Sequence, residues 1–390
     1  MTKCHSNETR FSIESVKMNI KRNILLNPGP CTTSDDVKLA MVVPDICPRE
    51  EEFGLLMESI KQDLPKVVNA GKDYTSTLFA ASGTGAVEAA ITSAVPRNGK
   101  VLIIDNGAYG ARMVEIARRY NIQHIIYKIS YGDYPNIEEI EKIFANEKPT
   151  TLAVVDHETT TGMRNPIQEL CSIAHKHNAE IIVDCMSSFA GVPIDLSEWQ
   201  AEYIVSSSNK CIEGMAGLSF VIFKESLLEK IKDQTRSFYF DLYAQHQGFQ
   251  NTGQMQFTPP VQVVYALRKA IDLFFKETAQ GRIERYRENY KMLRTEVEQM
   301  GFQFLLDEKY QSGLLLAIKE PENKEYSFQQ MHDYMYERGV TIYPGKGAKE
   351  KTFRLSVLGN LYQDDIKQAM DILRDYLNNV AKIDKLEYKK

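Results

Sequence analysis

Apolar runs alternate with amphipathic stretches along residues 75–224. Four amphipathic patterns of helical period, at residues 83–95, 111–120, 137–147 and 167–177, separate the first five apolar runs. The runs are rich in Val, Ile and Leu, as strands buried on both faces are, and lie at residues 75–81, 100–107, 124–131, 150–158, 180–188, 201–207 and 218–224. Strands that alternate with helices predict βαβ units. We therefore expect an α/β fold with a mostly parallel seven-stranded sheet and helices on both faces.

The pattern changes after residue 260. Residues 261–299 form a long helical stretch with a break at Gly281, and strands mixed with two helices follow from residue 302. The later strands are expected at 302–306, 313–319, 340–344 and 353–357, with 340–344 at the edge of its sheet. The change predicts three parts, which are a polar extension over 1–22, a large domain with the N-terminal segment over 23–280 and a small α+β domain over 281–390.

The composition narrows the class of protein. The chain has 390 residues and a formal net charge of −5, without the basic stripe of a nucleic-acid-binding protein. No apolar run approaches the roughly 20 residues that span a membrane, and the N-terminus lacks the apolar segment of a signal peptide. The six cysteines form no CxxC pair, and the seven histidines have no zinc-binding spacing. We therefore expect a cytoplasmic enzyme with free thiols, and no metal, membrane or nucleic-acid partner.

The polar residues that follow each strand are the candidates for chemistry, because ligands of open α/β sheets bind outside the carboxyl ends of the strands. The first strand exit reads ASGTGAVEAA, residues 81–90, and leads directly into a helix. Ser82, Gly83 and Thr84 would present backbone N–H groups at the positive end of that helix, as a phosphate site requires. A capped strand–helix turn explains them equally well. Glu88 stands where a dinucleotide-binding fingerprint needs its third glycine, and no P-loop motif is present.

Four further exits carry residues that suit a planar, charged ligand. Tyr109 follows the second strand, His157 and Glu158 follow the fourth, Asp184 ends EIIVD, and Lys210 lies in SSSNKCIEG, residues 206–214. Each has an ordinary explanation as a rim aromatic, a strand-end cap or a solvated charge. Together with the phosphate cradle they match pyridoxal 5′-phosphate (PLP). That cofactor needs an anion site, a platform for its ring, an acid for its pyridine nitrogen and a lysine for its aldehyde.

Longer motifs carry a resemblance to a known family. The stretches LLNPGPCTTSDDVKLAM (25–41), FAASGTGAVEAAI (79–91) and DHETTTGMRNPI (156–167) resemble the class V aminotransferases of PLP fold type I, and the likeness extends over most of residues 23–360. Within this group, NKCIEG and MSSFAGVP are most similar to 2-aminoethylphosphonate–pyruvate aminotransferases. The resemblance implies a fold-type I enzyme with PLP as its cofactor. It also implies a homodimer whose active sites are shared between the subunits.

The resemblance implies roles for individual residues. Lys210 resembles the lysine that forms a Schiff base with the cofactor and moves the proton, and Asp184 the carboxylate at the pyridine nitrogen. Arg354 in TFRLSV resembles the arginine that holds the acidic group of the substrate, for which a guanidinium fork is suited. The other implied cofactor-binding residues are Ser82, Gly83 and Thr84 at the phosphate, Tyr109 over the ring, Thr159 near the phenolic oxygen, Ser207 beside the phosphate, and Thr258 of the neighbouring subunit, assisted by Thr252 and Gly253.

The implied reaction is transamination of 2-aminoethylphosphonate, the amine donor, with the keto acid pyruvate, giving phosphonoacetaldehyde and alanine in either direction. Three alternatives stay open. Another class V aminotransferase, such as an alanine–glyoxylate or serine–pyruvate enzyme, would share nearly every cofactor residue. A nicotinamide-dependent oxidoreductase on a Rossmann core would form no lysine-bound chromophore. A PLP-fold protein that binds without turnover would not need both Lys210 and Asp184.

Overall fold

A seven-stranded sheet lies at the centre of the protein. The computed structural model describes residues 20–345, 347 and 350–389, so residues 1–19 of the predicted extension lie outside the described residues. The strands are β1 (Ile24–Leu25), β2 (Tyr74–Phe79), β3 (Lys100–Asp105), β4 (Gln123–Lys128), β5 (Thr151–Val155), β6 (His157–Glu158), β7 (Met163–Arg164), β8 (Glu180–Asp184), β9 (Tyr203–Ser207), β10 (Ser219–Lys224), β11 (Leu315–Lys319), β12 (Val340–Thr341), β13 (Tyr343–Pro344) and β14 (Thr352–Ser356). The central sheet has the order β2-β10-β9-β8-β5-β3-β4.

Helices pack on both faces of this sheet. The helices of the described residues are α1 (Asp35–Leu39), α2 (Glu51–Asp63), α3 (Gly83–Ala94), α4 (Ala108–Arg119), α5 (Ile137–Glu147), α6 (Ile167–Lys176), α7 (Leu196–Trp199), α8 (Leu228–Ile231), α9 (Leu242–Thr252), α10 (Val261–Glu277), α11 (Ala279–Gln299), α12 (Phe328–Glu337) and α13 (Gln363–Asp375). Successive strand residues point to opposite faces. Ile103 and Ile182 therefore join the core beneath α3 and α4, whereas Leu102 and Ile181 join the core beneath α6.

The predicted α/β architecture is confirmed in its main elements. All seven predicted strands form one sheet, which is parallel except that β10 runs antiparallel to both of its neighbours. Two details differ from the expectation. The predicted strand over 150–158 divides into β5 and β6, and α4 begins at Ala108 rather than at residue 111. Tyr109 consequently lies in the first turn of a helix.

The predicted break at Gly281 is wrong. The long helical stretch is interrupted at Thr278, which has a φ of +71° and separates α10 from α11. The Thr278 hydroxyl accepts a hydrogen bond from the Gly281 N–H at 3.1 Å and so caps the new helix. Gly281 therefore lies inside the first turn of α11.

The C-terminal part contains a three-stranded antiparallel sheet of order β11-β14-β13, and the 343–344 strand lies at its edge as expected. Two expectations for this part are wrong. Residues 302–306 form no strand, because only Phe304 bridges to Ile318. The predicted strand over 340–344 divides, and β12 pairs in parallel with β1. The domain boundary at residue 280 stays a prediction. Among the described residues, no helix combines the length and the apolar character needed to cross a membrane.

Candidate active site

Asp184 and Lys210 lie at the ends of adjacent strands. β8 ends at Asp184 and β9 at Ser207, and the two strands pair in parallel with Asp184 opposite Val205. Lys210 follows three residues after β9 ends. Because parallel strands end at the same edge of a sheet, the carboxyl and the amine share one rim, as the sequence predicts.

The Asp184 carboxyl is buried, with 4% of the residue exposed. Burial raises its pKa to about 7, a hydrogen bond from the Met186 N–H at 2.8 Å opposes the rise, and the nearby Glu158 adds to it. Arg112 and Lys210 lower the pKa more weakly. A carboxyl in such a place is fully ionised at neutral pH only when a further cation pairs with it. Asp184 is therefore suited to a positively charged ligand atom.

The Lys210 side chain is partly buried, beneath the N-terminal segment Asn27–Pro30. Its Nζ donates a hydrogen bond to the Pro28 carbonyl. Gly29 has a φ of +120°, and a Cβ at that position would lie 2.6 Å from the Lys210 Cδ. A side chain is therefore excluded there both by conformation and by contact. Lys210 is not the solvated surface charge that a strand-end lysine usually is.

The N-terminus of α3 forms a cradle that fits an anion. Ser82 is the N-cap residue, yet its side chain makes no capping hydrogen bond, and a Cβ at Gly83 would overlap the Met186 side chain. The Thr84 hydroxyl accepts a hydrogen bond from Arg112 Nη1 at 3.0 Å. Backbone N–H groups, the helix dipole and a guanidinium thus converge at one point. Sequence reasoning missed Arg112, although it lies one helical turn after Tyr109 on the same face.

Glu158, which follows β5, contacts the start of α4, which follows β3. Its Oε2 accepts hydrogen bonds from the Tyr109 and Gly110 N–H groups at 3.1 and 3.4 Å, which fixes the start of α4. The carboxyl is fully buried, and burial raises its pKa. The Arg112 guanidinium lies 4.8 Å from the centroid of the Tyr109 ring. The sequence singled out Glu158 as a strand-exit residue but gave it no role.

Arg354 reaches the same rim from the C-terminal sheet. It lies in β14 opposite Ala317 and Tyr343, and only 6% of the residue is exposed. Its Nη1 donates to the Thr159 carbonyl at 3.1 Å and its Nε to the Pro344 carbonyl at 3.0 Å. Burial lowers its pKa, and nearby Tyr109 and Glu158 raise it. Arg354 is therefore a buried cation beside the strand exits, as the sequence predicts for a substrate-binding arginine.

Ser207 and Thr159 are also brought to the rim, and both are buried. The Ser207 hydroxyl donates to Asn209 Oδ1 at 3.0 Å within the loop that leads to Lys210. Thr159 contacts Arg354 through its carbonyl oxygen. We refer below to Ser82–Thr84, Tyr109, Glu158, Asp184, Lys210 and Arg354 as the strand-exit cluster.

The remaining predicted residues, Thr252, Gly253 and Thr258, are not brought into this cluster. Thr252 and Thr258 are exposed, and Gly253 ends α9 with a φ of +67°. Among the described residues, no hydrogen bond or ion pair joins the three to Lys210 or Asp184. The aromatic residue of this segment is Phe257, which the sequence analysis did not single out and which stacks on Tyr239 with ring centroids 4.6 Å apart.

The chain is similar to known proteins in both sequence and fold. The family model described as "Aminotransferase class-V" matches residues 40–367. A relative named 2-aminoethylphosphonate–pyruvate transaminase, from Salmonella paratyphi B, is 39% identical over 362 residues, which cover 92% of this chain and 98% of the relative. The solved structure of alanine–glyoxylate aminotransferase from Nostoc sp. superposes with a TM-score of 0.85 at 24% identity and covers 96% of this chain and 100% of its own. That of ureidoglycine–glyoxylate aminotransferase from Bacillus subtilis gives 0.85 at 21%, with 93% and 94% covered. These structures confirm the expected fold-type I architecture.

Proposed function

The chain belongs to the class V aminotransferases, and we propose that it uses PLP to transaminate 2-aminoethylphosphonate with pyruvate, giving phosphonoacetaldehyde and alanine in either direction. The observation that carries the proposal is the placement of Asp184 and Lys210 at the ends of paired strands β8 and β9. An acid and a lysine on one rim are what the pyridine nitrogen and the aldehyde of PLP require.

The residues around this pair fit the rest of the cofactor. The N–H groups at the start of α3, with the Arg112 guanidinium beside them, suit its phosphate. The Ser82 hydroxyl has no capping role that would compete with such a ligand. Tyr109, held by Glu158, would lie over the ring, while Thr159 and Ser207 are proposed to line the phenolic oxygen and the phosphate.

Asp184, Lys210 and Arg354 would each have a distinct chemical task. Bound PLP would supply a cationic ring that withdraws electrons from the bond between the substrate Cα and its proton. Asp184 would hold the proton on the ring nitrogen, because a carboxylate beside a cation in a buried site is stabilised. Lys210 Nζ would take the proton from the substrate Cα as general base and then, as general acid, deliver it to the C4′ carbon of PLP. Arg354 would bind the substrate's acidic group with its planar fork.

The choice of substrate is supported by the relatives named 2-aminoethylphosphonate–pyruvate transaminase, at 39% identity over almost the full chain. A phosphonate and a carboxylate are both oxyanions, so one buried guanidinium can receive the amine donor and the keto acid in turn. Alanine–glyoxylate and serine–pyruvate chemistry are the competing assignments, since the cofactor residues do not distinguish them.

We propose further that the enzyme is a homodimer and that Thr258, with Thr252 and Gly253, completes the cofactor site of the neighbouring subunit. Support comes from the exposure of both threonines. Beside them lies an aromatic patch in which Phe238 is 84% exposed and packs near Phe257. Exposed aromatic clusters of this kind are typical of protein–protein interfaces.

A spectrum and a donor panel test the function. The purified protein with PLP is expected to absorb near about 410–420 nm, and borohydride should abolish the band by reducing the lysine–cofactor bond. Lys210→Ala is the matched control, in which the reducible band should be missing. The loaded enzyme is then assayed with pyruvate and either 2-aminoethylphosphonate or serine, and with alanine and glyoxylate. Turnover of alanine or serine with none of the phosphonate would refute the proposed substrate, and a protein without the band would refute the cofactor.

A further inference from the structure

The turn that follows Lys210 is held in an unfavourable conformation. Glu213 has a φ of +64°, which is uncommon for a residue with a long side chain, and its N–H donates to the Lys210 carbonyl at 2.8 Å. A Cβ at Gly214 would lie 2.7 Å from the Ser208 carbonyl oxygen, so the turn folds tightly back on the chain before the lysine. A strained turn next to a reactive residue persists only when its surroundings fix it.

Three side chains of α11 hold this turn, which we call the Lys210 turn (residues 210–214). The Glu213 Oε1 accepts from Arg285 Nη2 at 2.7 Å and from the Tyr286 hydroxyl at 2.8 Å. Arg282 Nη1 donates to the Cys211 carbonyl at 2.6 Å. The Glu213 side chain is 7% exposed, and those of Arg282 and Arg285 are 2% and 11% exposed. The turn is thus anchored by a buried network of charges.

The same side chains hold the chain that follows Arg354. Arg285 Nη1 donates to the Gly359 and Leu361 carbonyls at 2.9 and 3.1 Å. The Tyr286 hydroxyl accepts from the Gly359 N–H at 3.1 Å. Gly359 follows Arg354 by only five residues. Arg285 and Tyr286 therefore contact both the Lys210 turn and the segment that follows Arg354.

The N-terminal segment over Lys210 joins these two regions directly. The Thr32 carbonyl accepts from the Asn360 N–H at 2.8 Å, and the Cys31 N–H donates to the Asn209 carbonyl at 3.3 Å. Gly359 has a φ of +111°, and a Cβ there would lie 2.7 Å from the Thr32 oxygen. One connected unit thus surrounds the Glu213–Arg285 pair. It consists of the Lys210 turn and of segments 27–32 and 359–361.

We propose that Glu213 is a positioning residue that, through its pair with Arg285, fixes Lys210 relative to Arg354. The proposal rests on the proposed function, in which Lys210 moves a proton at the Cα of a substrate that Arg354 holds. The two groups come from parts of the chain 144 residues apart, so their separation depends on contacts between those parts. A misplacement of about 1 Å between a catalytic group and its substrate costs on the order of 100-fold in rate. Arg285 bridges the two parts, because it pairs with Glu213 and donates to the Gly359 and Leu361 carbonyls.

Glu213→Gln in the PLP-loaded enzyme tests this role, because it keeps the size of the side chain and removes its charge. We expect kcat to fall about 10- to 100-fold. The KM for the amine donor should change less than about threefold, because the hydrogen bonds of Arg354 to Thr159 and Pro344 stay in place. The pH midpoint of the visible band should also shift, since Lys210 would move relative to Asp184.

Asp63→Asn is the matched control. Asp63 and Arg268 form another partly buried ion pair, at 2.8 Å with side chains 23% and 15% exposed, that contacts none of the residues of the Lys210 turn. This variant should lose thermal stability without a change in kcat or in the midpoint of the band. A purely structural role for Glu213 would make Glu213→Gln behave in the same way, and that result would overturn the proposal.

Tyr286→Phe gives a second measurement should Glu213→Gln fail to fold. It removes only the hydroxyl that joins the Glu213 carboxylate to the Gly359 N–H, so a smaller fall in kcat with an unchanged KM is expected. An unchanged kcat and band midpoint in folded Tyr286→Phe would count against the positioning role. The band midpoint reports on Lys210 whichever amine the parent enzyme accepts. If the parent enzyme does not turn over the phosphonate, the proposed substrate is refuted. The positioning role of Glu213 is then tested by the shift of the band midpoint alone.

Discussion

Two regions that we propose to bind the cofactor differ in how completely a single subunit forms them. Glu158, Asp184 and Arg354 of the strand-exit cluster are buried, and each is fixed by a hydrogen bond with the backbone of this chain. The segment 252–258 is anchored on the turn before α2, where Arg49 Nη1 donates to the Met255 carbonyl at 2.7 Å. Its two threonines, however, face outward.

The difference indicates which parts of the proposed cofactor site one subunit forms alone and which part a second subunit would complete. Buried polar groups need partners, and the cluster finds most of them within its own chain. The hydroxyl of Thr258 lies at the surface, where a second subunit could use it. The predictions below test this division, from the largest expected effect to the smallest.

Lys210→Ala should have the largest effect. Removing the amine removes both the attachment of the cofactor and the proton carrier, so we expect kcat for transamination to fall at least about 1,000-fold. The side chain is only partly buried, and its loss should leave the fold intact. Steady-state assays and circular dichroism measure the two quantities. Transamination at the parent rate would show that Lys210 is not the reactive lysine.

Asp184→Asn should lower kcat about 100- to 1,000-fold, because an amide cannot stabilise a cation at the ring nitrogen. The variant also tests how stability depends on pH, because asparagine keeps the shape of the side chain and has no ionisable group. The folded-state pKa of about 7 lies above the ordinary aspartate value of 3.8, so the parent without cofactor should lose stability as pH rises from about 4 through about 7. The asparagine variant should lack this loss.

Thermal unfolding of the cofactor-free parent and the Asp184→Asn variant at pH 5 and pH 8 measures this pH dependence. PLP should reduce the loss in the parent, since its ring nitrogen would pair with the carboxylate. Identical pH profiles for the two cofactor-free proteins would contradict the assignment of a buried, ionising carboxyl at this position.

Arg354→Ala should raise the KM for the amine donor and the keto acid about 100-fold, because a buried charge-assisted contact with an oxyanion is lost. The affinity for PLP should change far less. Arg294→Ala is a suitable control, since Arg294 pairs with Glu298 on α11 and lies outside the strand-exit cluster. A large loss of cofactor with an unchanged KM would place Arg354 at the cofactor instead.

Thr258→Val should have the smallest effect and the most direct bearing on the comparison. Losing one hydroxyl contact with the phosphate of the neighbouring subunit should weaken PLP binding about tenfold. The exposed side chain should leave the unfolding temperature unchanged. Spectroscopic titration of the apoenzyme with PLP measures the affinity.

Mixed dimers of Lys210→Ala with Thr258→Val decide which subunit the threonine serves. If Thr258 acts across the interface, the site that keeps Lys210 also receives a native Thr258 and retains the parent affinity. If Thr258 acts within its own chain, that site carries the valine and binds PLP about tenfold more weakly. The second outcome would remove the difference between the two regions.

Much of the fold followed from local sequence patterns. The seven central strands and helices α3, α5 and α6 were predicted because continuous apolar runs and helical periodicity report burial directly. The errors lie where local signals compete. Gly281 looked like a helix break, but the Thr278 hydroxyl ends one helix and caps the next. Residues 340–344 looked like one strand, but β12 pairs with a segment more than 300 residues earlier.

The sequence by itself determined the chemistry of the strand exits. The order of strands places residues such as Asp184 and Lys210 at one rim, because parallel strands end on the same side of a sheet. The tertiary structure alone decided which distant groups complete that rim. Arg112 on Thr84, Arg354 on Thr159 and Arg285 on Glu213 are contacts between residues 28, 195 and 72 positions apart. Such pairs depend on how whole elements pack, and a local pattern of residues carries no record of that packing.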